Sequence, residues 1–217
     1  MDKRRLDKPT TPGAAAAVTS NHHQHHEATD AAPVTRSRLT LERVLGVTSL
    51  SNAMVAVNPV TGEIAYAAGC IVVIYNLRRN KQVRYYRVEK PVSCLCFSPN
   101  GQYLAIGEKG YLPAITIWDG ADGTLCAELQ MHKYGVACLA FNRDGTLLLS
   151  AGLVHDQHVF AWDLTKDQET NEIRGRVIGG SVVEEKIMGM DFSQEGAFFV
   201  TVGEKHFKVR AVEVCSL

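Results

Sequence analysis

The sequence predicts an all-β fold built from repeated units, and three observations carry that reading. From Leu39 onward the apolar residues fall in runs of four to eight separated by turn signals, with few long helical patterns among them. Four turns, NPVTGE, SPNGQ, NRDGT and SQEGA, each stand between two such runs: MVAV and IAYAAG, CLCF and YLAIG, CLAF and LLLSAG, MGMDF and FFVTVG. The glycines that close these hairpins, Gly62, Gly101, Gly145 and Gly196, are spaced 39, 44 and 51 residues apart, at positions where a tight turn calls for φ above zero.

A third run follows each hairpin: CIVVIYN, AITIWD, HVFAWD and FKVRAV. It carries an aromatic at Tyr75, Trp118 and Trp162, 43 and 44 residues apart. A fourth, more polar run, KQVRYYRV or GTLCAELQ, then leads to the next hairpin. Units of four short strands repeating at this length predict a WD-repeat β-propeller. The count gives an incomplete ring of about three full blades plus a partial fourth over residues 38–217. TLERVLG, residues 40–46, precedes the first hairpin and reads as an outer strand that completes a blade elsewhere in the ring. Residues 1–37 are rich in Pro, Ala, Thr and His with neither period, so a disordered low-complexity tail is expected there. Its HHQHH tract (His22, His23, His25, His26) reads as a polar insertion, although any flexible His-rich tract can take up a transition metal.

Composition narrows the function. Lys plus Arg number 23 and Asp plus Glu 23, so no global field draws the chain to nucleic acid, an anionic membrane or an acidic substrate. No run approaches the ~18 apolar residues of a membrane span, and AAAAV near the start is too short for a signal-peptide core. Six cysteines (Cys70, Cys94, Cys96, Cys126, Cys138, Cys215) sit among apolar residues with no C-x-x-C pair, as the reduced core thiols of a cytosolic protein do. Cys94 and Cys96 share one strand face but lack a second ligand pair, so packing is expected there rather than a metal.

VHDQHVF, residues 154–160, invites a metal-site reading through His155, Asp156 and His158. On a strand those two histidines point to opposite faces, although a turn can bring them together. The better account uses Asp156 alone. With His132, Ser150 and Trp162 it makes a set in which indole donates, hydroxyl and imidazole each donate and accept, and carboxylate accepts. Asp156 and Trp162 are six residues apart, the spacing at which WD repeats tie a blade together. The second unit has Trp118 but Ile106 and Leu112 at the serine and aspartate positions; the first has Tyr75, and the fourth has Thr201 with Arg210 in place of the aromatic. Only the third blade is therefore expected to hold the full tetrad, and the second to rely on apolar packing.

LERVLGVTSL, AYAAGCIVVIYNLRRNKQ, SPNGQYLAIGEKGYLPAITIWD, AELQMHKYGVACLAFN, HDQHVFAWD and FFVTVGEKHFKV together resemble the N-terminal propeller of the mitogen-activated protein kinase-binding protein family, over about residues 38 to 209. That family includes a centrosomal WD-repeat relative linked to microcephaly. A weaker resemblance is to ciliary WD-repeat proteins, which gives a ciliary or flagellar structural role as the alternative. The resemblance implies a non-catalytic scaffold in Jun N-terminal kinase signalling or spindle-pole organisation, cytoplasmic or at the centrosome, binding proteins through tandem propellers and a long tail. This chain stops at VRAVEVCSL without that tail. A ring closes with at least about four blades and usually more, so a fragment is expected, its missing blades supplied by a longer chain or by self-association.

An enzyme needs convergent polar groups, and the histidines beyond the tail (His132, His155, His158, His206) offer none outside the tetrad; no catalytic, cofactor or metal residue is assigned. Partners are expected on the propeller face where loops 107–113 and 152–158 lie. Arg78, Arg79, Lys81, Arg84 and Arg87 on one hairpin could form a basic interaction patch for acidic tubulin tails, phosphopeptides or RNA, against the plainer reading of a solvated turn. RSRLTL, Arg36 to Leu41, has the form of a kinase docking peptide, but its leucines fit the core face of a first strand better.

Overall fold

A computed structural model describes residues 41–212; the predicted tail with its HHQHH tract, most of RSRLTL, and Cys215 lie outside the described residues. Among the described residues fifteen strands form four antiparallel sheets, one per repeat, each ordered as the chain runs. Blade 1 is β1 (Val55–Val57), β2 (Ile64–Ala68), β3 (Ile71–Asn76) and β4 (Lys81–Arg87). Blade 2 is β5 (Val92–Phe97), β6 (Tyr103–Glu108), β7 (Ile115–Asp119) and β8 (Leu125–Leu129). Blade 3 is β9 (Val136–Phe141), β10 (Leu147–Gly152), β11 (His158–Asp163) and β12 (Arg176–Val182). Blade 4 has three strands, β13 (Ile187–Phe192), β14 (Phe198–Gly203) and β15 (His206–Ala211). The innermost strands β1, β5, β9 and β13 are successive neighbours, the arrangement of an open β-propeller.

The repeat pattern follows from which faces are covered. Three apolar cores lie between successive blades: Met54, Ala67 and Ile74 against Leu95, Leu104 and Ile106; Tyr103, Ala105 and Ile117 against Leu139, Leu148 and Trp162; Leu149, Ala151 and Val159 against Ile187 and Phe199. Blade 2 is covered on both faces, so every residue of β6 is buried and its sequence is apolar without alternation up to the terminal Glu108. Each such side chain withdrawn from water contributes about 1.5–3 kcal/mol. Gly62, Gly101, Gly145 and Gly196 all have φ between 70° and 73°; at Gly101 the turn also lies against Asn58, whose amide donates to the Gly101 carbonyl at 3.1 Å. The irregular third spacing falls in the β11–β12 connection, residues 164–175, where blade 2 uses only 120–124.

Two expectations change. Residues 41–49 form no strand, so TLERVLG is not part of a sheet and Leu41 is exposed rather than in a core. The segment is instead held by side chains of β4. The Gln82 carboxamide accepts from Val44 N–H at 2.9 Å and donates to Val44 C=O at 2.7 Å, and the Tyr85 hydroxyl donates to Glu42 C=O at 2.7 Å. An amide side chain thus replaces the backbone of a neighbouring strand.

Candidate functional site

In blade 3 the four tetrad residues meet in one chain. Trp162 Nε1 donates to Ser150 Oγ at 2.8 Å, Ser150 Oγ lies 2.8 Å from His132 Nε2, and His132 Nδ1 lies 2.9 Å from Asp156 Oδ1. Because the indole can only donate and the carboxylate only accept, the serine hydroxyl donates to Nε2 and the histidine carries its proton on Nδ1. All four are buried. The second carboxylate oxygen accepts the backbone N–H groups of Lys133 and, at 3.0 Å, of Tyr134. Burial raises the Asp156 pKa, but hydrogen bonds from His132 and from the two amides outweigh it and leave the carboxyl below its ordinary value. Gly152 makes room for this group, since a side chain there would overlap the Asp156 carboxyl.

Blade 2 is tied as well, contrary to expectation, by residues shifted from the anticipated positions. Glu108, at the position of Gly152, is 1% exposed. Its Oε1 accepts Glu89 N–H at 2.9 Å and Lys90 N–H at 3.0 Å, and its Oε2 accepts Ala114 N–H at 3.0 Å. Trp118 donates to Thr116 Oγ1 at 2.9 Å. Thr116 faces Ile106 across the β6–β7 pair, as Phe160 faces Ser150 across β10–β11, so hydroxyl and apolar residue have changed strands. Leu112, at the aspartate position, acts through its backbone: its N–H donates to Lys133 C=O at 2.9 Å and its C=O accepts Lys90 Nζ at 2.9 Å.

Blade 4 holds a third variant that the sequence reading missed. Thr201 Oγ1 lies 2.8 Å from His206 Nε2, and His206 Nδ1 lies 3.1 Å from Glu185 Oε2. Here the histidine comes from the outer strand and the carboxylate from the loop before the inner strand, the reverse of blade 3. The signal available was a histidine three residues past a glycine-ended strand, facing Gly203 across the β14–β15 turn. In blade 1 the tie shrinks to Thr48, whose hydroxyl accepts Gly69 N–H at 3.0 Å.

The remaining singled-out residues are placed as follows. Tyr75, Trp118 and Trp162 each sit directly after a β-bulge between the third and fourth strands of their blade, which re-aims the aromatic. Tyr75 is only half-buried and its hydroxyl donates to Asn80 in the following turn. His158 Nδ1 lies 2.6 Å from the Asp156 carbonyl, and its ring stacks on Phe160; His155 is exposed. Among the described residues no three His, Cys, Asp or Glu side chains are grouped to hold a metal. The basic cluster does not form one patch. Arg84 reaches blade 2, donating to Gly120 C=O at 2.7 Å and Ala121 C=O at 2.6 Å, while Arg87 lies at the far end of β4 from Arg78, Arg79 and Lys81. Burial pushes the thiols of Cys96 to about 11 and Cys138 to about 12, and Cys94 well up too, so these are protonated at neutral pH.

The ties converge on one end of the blades. Gly110 N–H and Leu112 N–H of blade 2 donate to Tyr134 and Lys133 carbonyls ahead of blade 3, and Leu153 N–H donates to Gly135. A cavity of about 380 Å³ opens there, lined by the starts of β5, β9 and β13, by residues 50–54 ahead of β1, and by Lys109, Val154 and Lys186. Tyr111, Leu112, Met131, Tyr134 and Val154 on these loops and Met188 at the start of β13 are exposed, and Lys90, Lys109, Lys133 and Lys186 lie near them in the chain.

Two stretches, residues 80–119 and 123–163, match the WD40 family, described as WD domain, G-beta repeat. The chain is a WD40-repeat protein of the β-propeller class. Its relatives include WD repeat-containing protein 62 of Mus musculus, 39% identical over 82% of this chain and 11% of that protein. Mitogen-activated protein kinase-binding protein 1 of Mus musculus is 40% identical over 79% of this chain and 11% of its own length. Cilia- and flagella-associated protein 52 of Sus scrofa is 29% identical over 80% of this chain and 28% of its length. The chain thus spans 11% of the length of the first two. A solved structure, "Crystal Structure of Mitotic Checkpoint Complex", superposes with a TM-score of 0.62 at 18% identity, covering 90% of this chain and 58% of that one, which shows a common fold. Among the described residues no helix is long and apolar enough to cross a membrane.

Proposed function

We propose that the chain is a non-catalytic scaffold module that docks protein partners on the loop-bearing end of its blades. The observation that carries this reading is the concentration there of the exposed apolar side chains Tyr111, Leu112, Met131, Tyr134, Val154 and Met188, of which Val154 and Met188 line an open cavity together with Lys109 and Lys186. Apolar centres with a polar rim are the anatomy of protein interfaces. The polar ties hold the loops that present these residues, so their role is structural. The absence of a role in chemistry rests on the same residues: His132 and His206 are engaged in the ties, and the buried thiols are protonated.

The pathway reading rests on the relatives. One is named for binding a mitogen-activated protein kinase, and we place this chain in kinase signalling or spindle-pole organisation, in the cytoplasm or at the centrosome. Similarity to a cilia- and flagella-associated protein favours a second reading, a structural role in axonemes. Proximity labelling from the tagged native product separates them: kinase-pathway or spindle-pole proteins support the first, and axonemal proteins alone support the second. Tyr111→Asp with Tyr134→Asp is expected to abolish the labelling of direct partners without unfolding the blades; unchanged labelling would place the docking surface elsewhere.

A further inference from the structure

Blades 1 to 3 each end in an outer strand, β4, β8 or β12, whose far edge pairs with no other strand among the described residues. A free edge is a template for a further strand, and edges are ordinarily blunted by charge, shortness or a cover. β4 carries Lys81, Arg84 and Arg87 and is screened by residues 42–44 through Gln82 and Tyr85. β8 is five residues long and carries Glu128. β12 has none of these devices. It runs seven residues, RVIGGSV, and no charged residue or proline stands between Arg176 and Glu184. Val182 is 61% exposed, and Gly179 and Gly180 are exposed beside it.

The direction of the backbone groups of β12 is fixed by β11. Val183 N–H donates to Gln157 C=O at 2.8 Å, so the alternation of an antiparallel ladder turns Val183, Ser181 and Gly179 toward β11 and turns Val182 and Gly180 outward. The register then jumps from Ala161 opposite Gly179 to Trp162 opposite Val177, which leaves Ile178 without a partner in β11. The open edge is therefore an apolar ladder with a glycine at its centre and one charge of each sign at its two ends.

We propose that this edge is occupied by the β12 edge of a second copy of the chain, paired antiparallel about a two-fold axis through Gly180. Gly180 exchanges N–H and C=O with its equivalent, and Val182 stands opposite Ile178 on either side of the axis. No side chain is carried at the axis, where two identical ones would otherwise meet. In this register Arg176 faces Glu184 twice; Glu184 is exposed, and Arg176, 62% exposed, reaches Asp163 only at 3.6 Å. Moving the axis to Val182 puts Glu184 opposite Gly180, and moving it to Ile178 puts Arg176 there, so either shift loses both ion pairs. Charge complementarity thus selects one register. A single sequence supplies both halves of it, which is why the occupant is another copy rather than an unrelated strand. Strand addition at an edge gives main-chain hydrogen bonds and register together, and the result is one continuous sheet with four strands from each blade 3.

The test combines sedimentation velocity of the 217-residue chain with amide hydrogen exchange over a range of concentrations. The mass is expected at twice 23.8 kDa, with protection of the Gly180 and Val182 amides that grows as the chain is concentrated. Val182→Lys sets a charge on an exposed edge position and is expected to weaken the dimer at least about tenfold with circular dichroism unchanged. Arg176→Glu or Glu184→Arg alone is expected to weaken it about fivefold. The two together are expected to restore association, which a merely local role of either residue would not do. A chain that stays monomeric at about 100 µM overturns the proposal, as does a dimer indifferent to these substitutions. Protection of Gly180 and Val182 that appears only when a different protein is added overturns it as well.

Discussion

Blades 2 and 3 perform the same task with different residues. In blade 3 a carboxylate rises from the β10–β11 loop over Gly152 to bind two backbone amides ahead of β9; in blade 2 the carboxylate stands on β6 itself and binds two amides ahead of β5. The hydroxyl that receives the indole sits on β10 in one and on β7 in the other. In these two blades the fold thus fixes where an acceptor must be, because the loops before β5 and β9 turn two N–H groups inward, but not which residue supplies it. Orphaned buried donors cost about 1–3 kcal/mol each, while a single satisfied bond contributes about 1 kcal/mol, so relocation of the acceptor is tolerated and its loss is not.

The largest effects should come from removing the two carboxylates. Asp156→Ala and Glu108→Ala are each expected to lower stability by about 3 kcal/mol, read from urea denaturation; a silent Glu108→Ala would break the equivalence of the two blades. A sharper test moves the acceptor. Adding Gly152→Glu to Asp156→Gly is expected to regain about 1–2 kcal/mol over Asp156→Gly alone, a non-additive coupling that independent sites would lack.

Smaller effects separate the hydrogen bonds from the rings. Trp162→Phe and Trp118→Phe keep the ring and lose one donor, and each should cost about 1 kcal/mol. Arg84→Ala should cost about 1 kcal/mol through its two carbonyl partners, whereas Arg78→Ala and Arg79→Ala should stay within about 0.5 kcal/mol. The pH dependence reports on Asp156. The folded pKa of Asp156 is depressed, so its contribution is fully present above the unfolded value near ~4 and is lost as pH falls through the lower folded value. Acid titration of the wild type and Asp156→Asn should therefore converge only below about pH 4.

The blade count and the hairpin turns were legible because glycine at positive φ and short apolar runs are local signals. The blade-3 residues were legible because they occupy anticipated positions. Glu108 was hidden by its neighbours: in YLAIGEKG it reads as the polar end of an apolar strand, and only the packed loop at Glu89 and Lys90 shows what its carboxylate binds. Glu185 and His206 were hidden because their roles are reversed between loop and strand. The basic cluster misled because adjacency along β4 does not make a patch; alternation and length send Arg84 to blade 2 and Arg87 to the opposite end. TLERVLG has strand alternation, but strand assignment needs a partner backbone, and here it finds Gln82.

The peptide units of Lys133 and Tyr134 are held from both sides: their N–H groups by Asp156 of blade 3, their C=O groups by Leu112 and Gly110 of blade 2. The sequence repeat and the unit that can be exchanged are therefore out of step. A graft that transplants one blade at its strand boundaries severs this joint, whereas a cassette cut from the loop after β6 to the loop after β10 carries both of its halves intact.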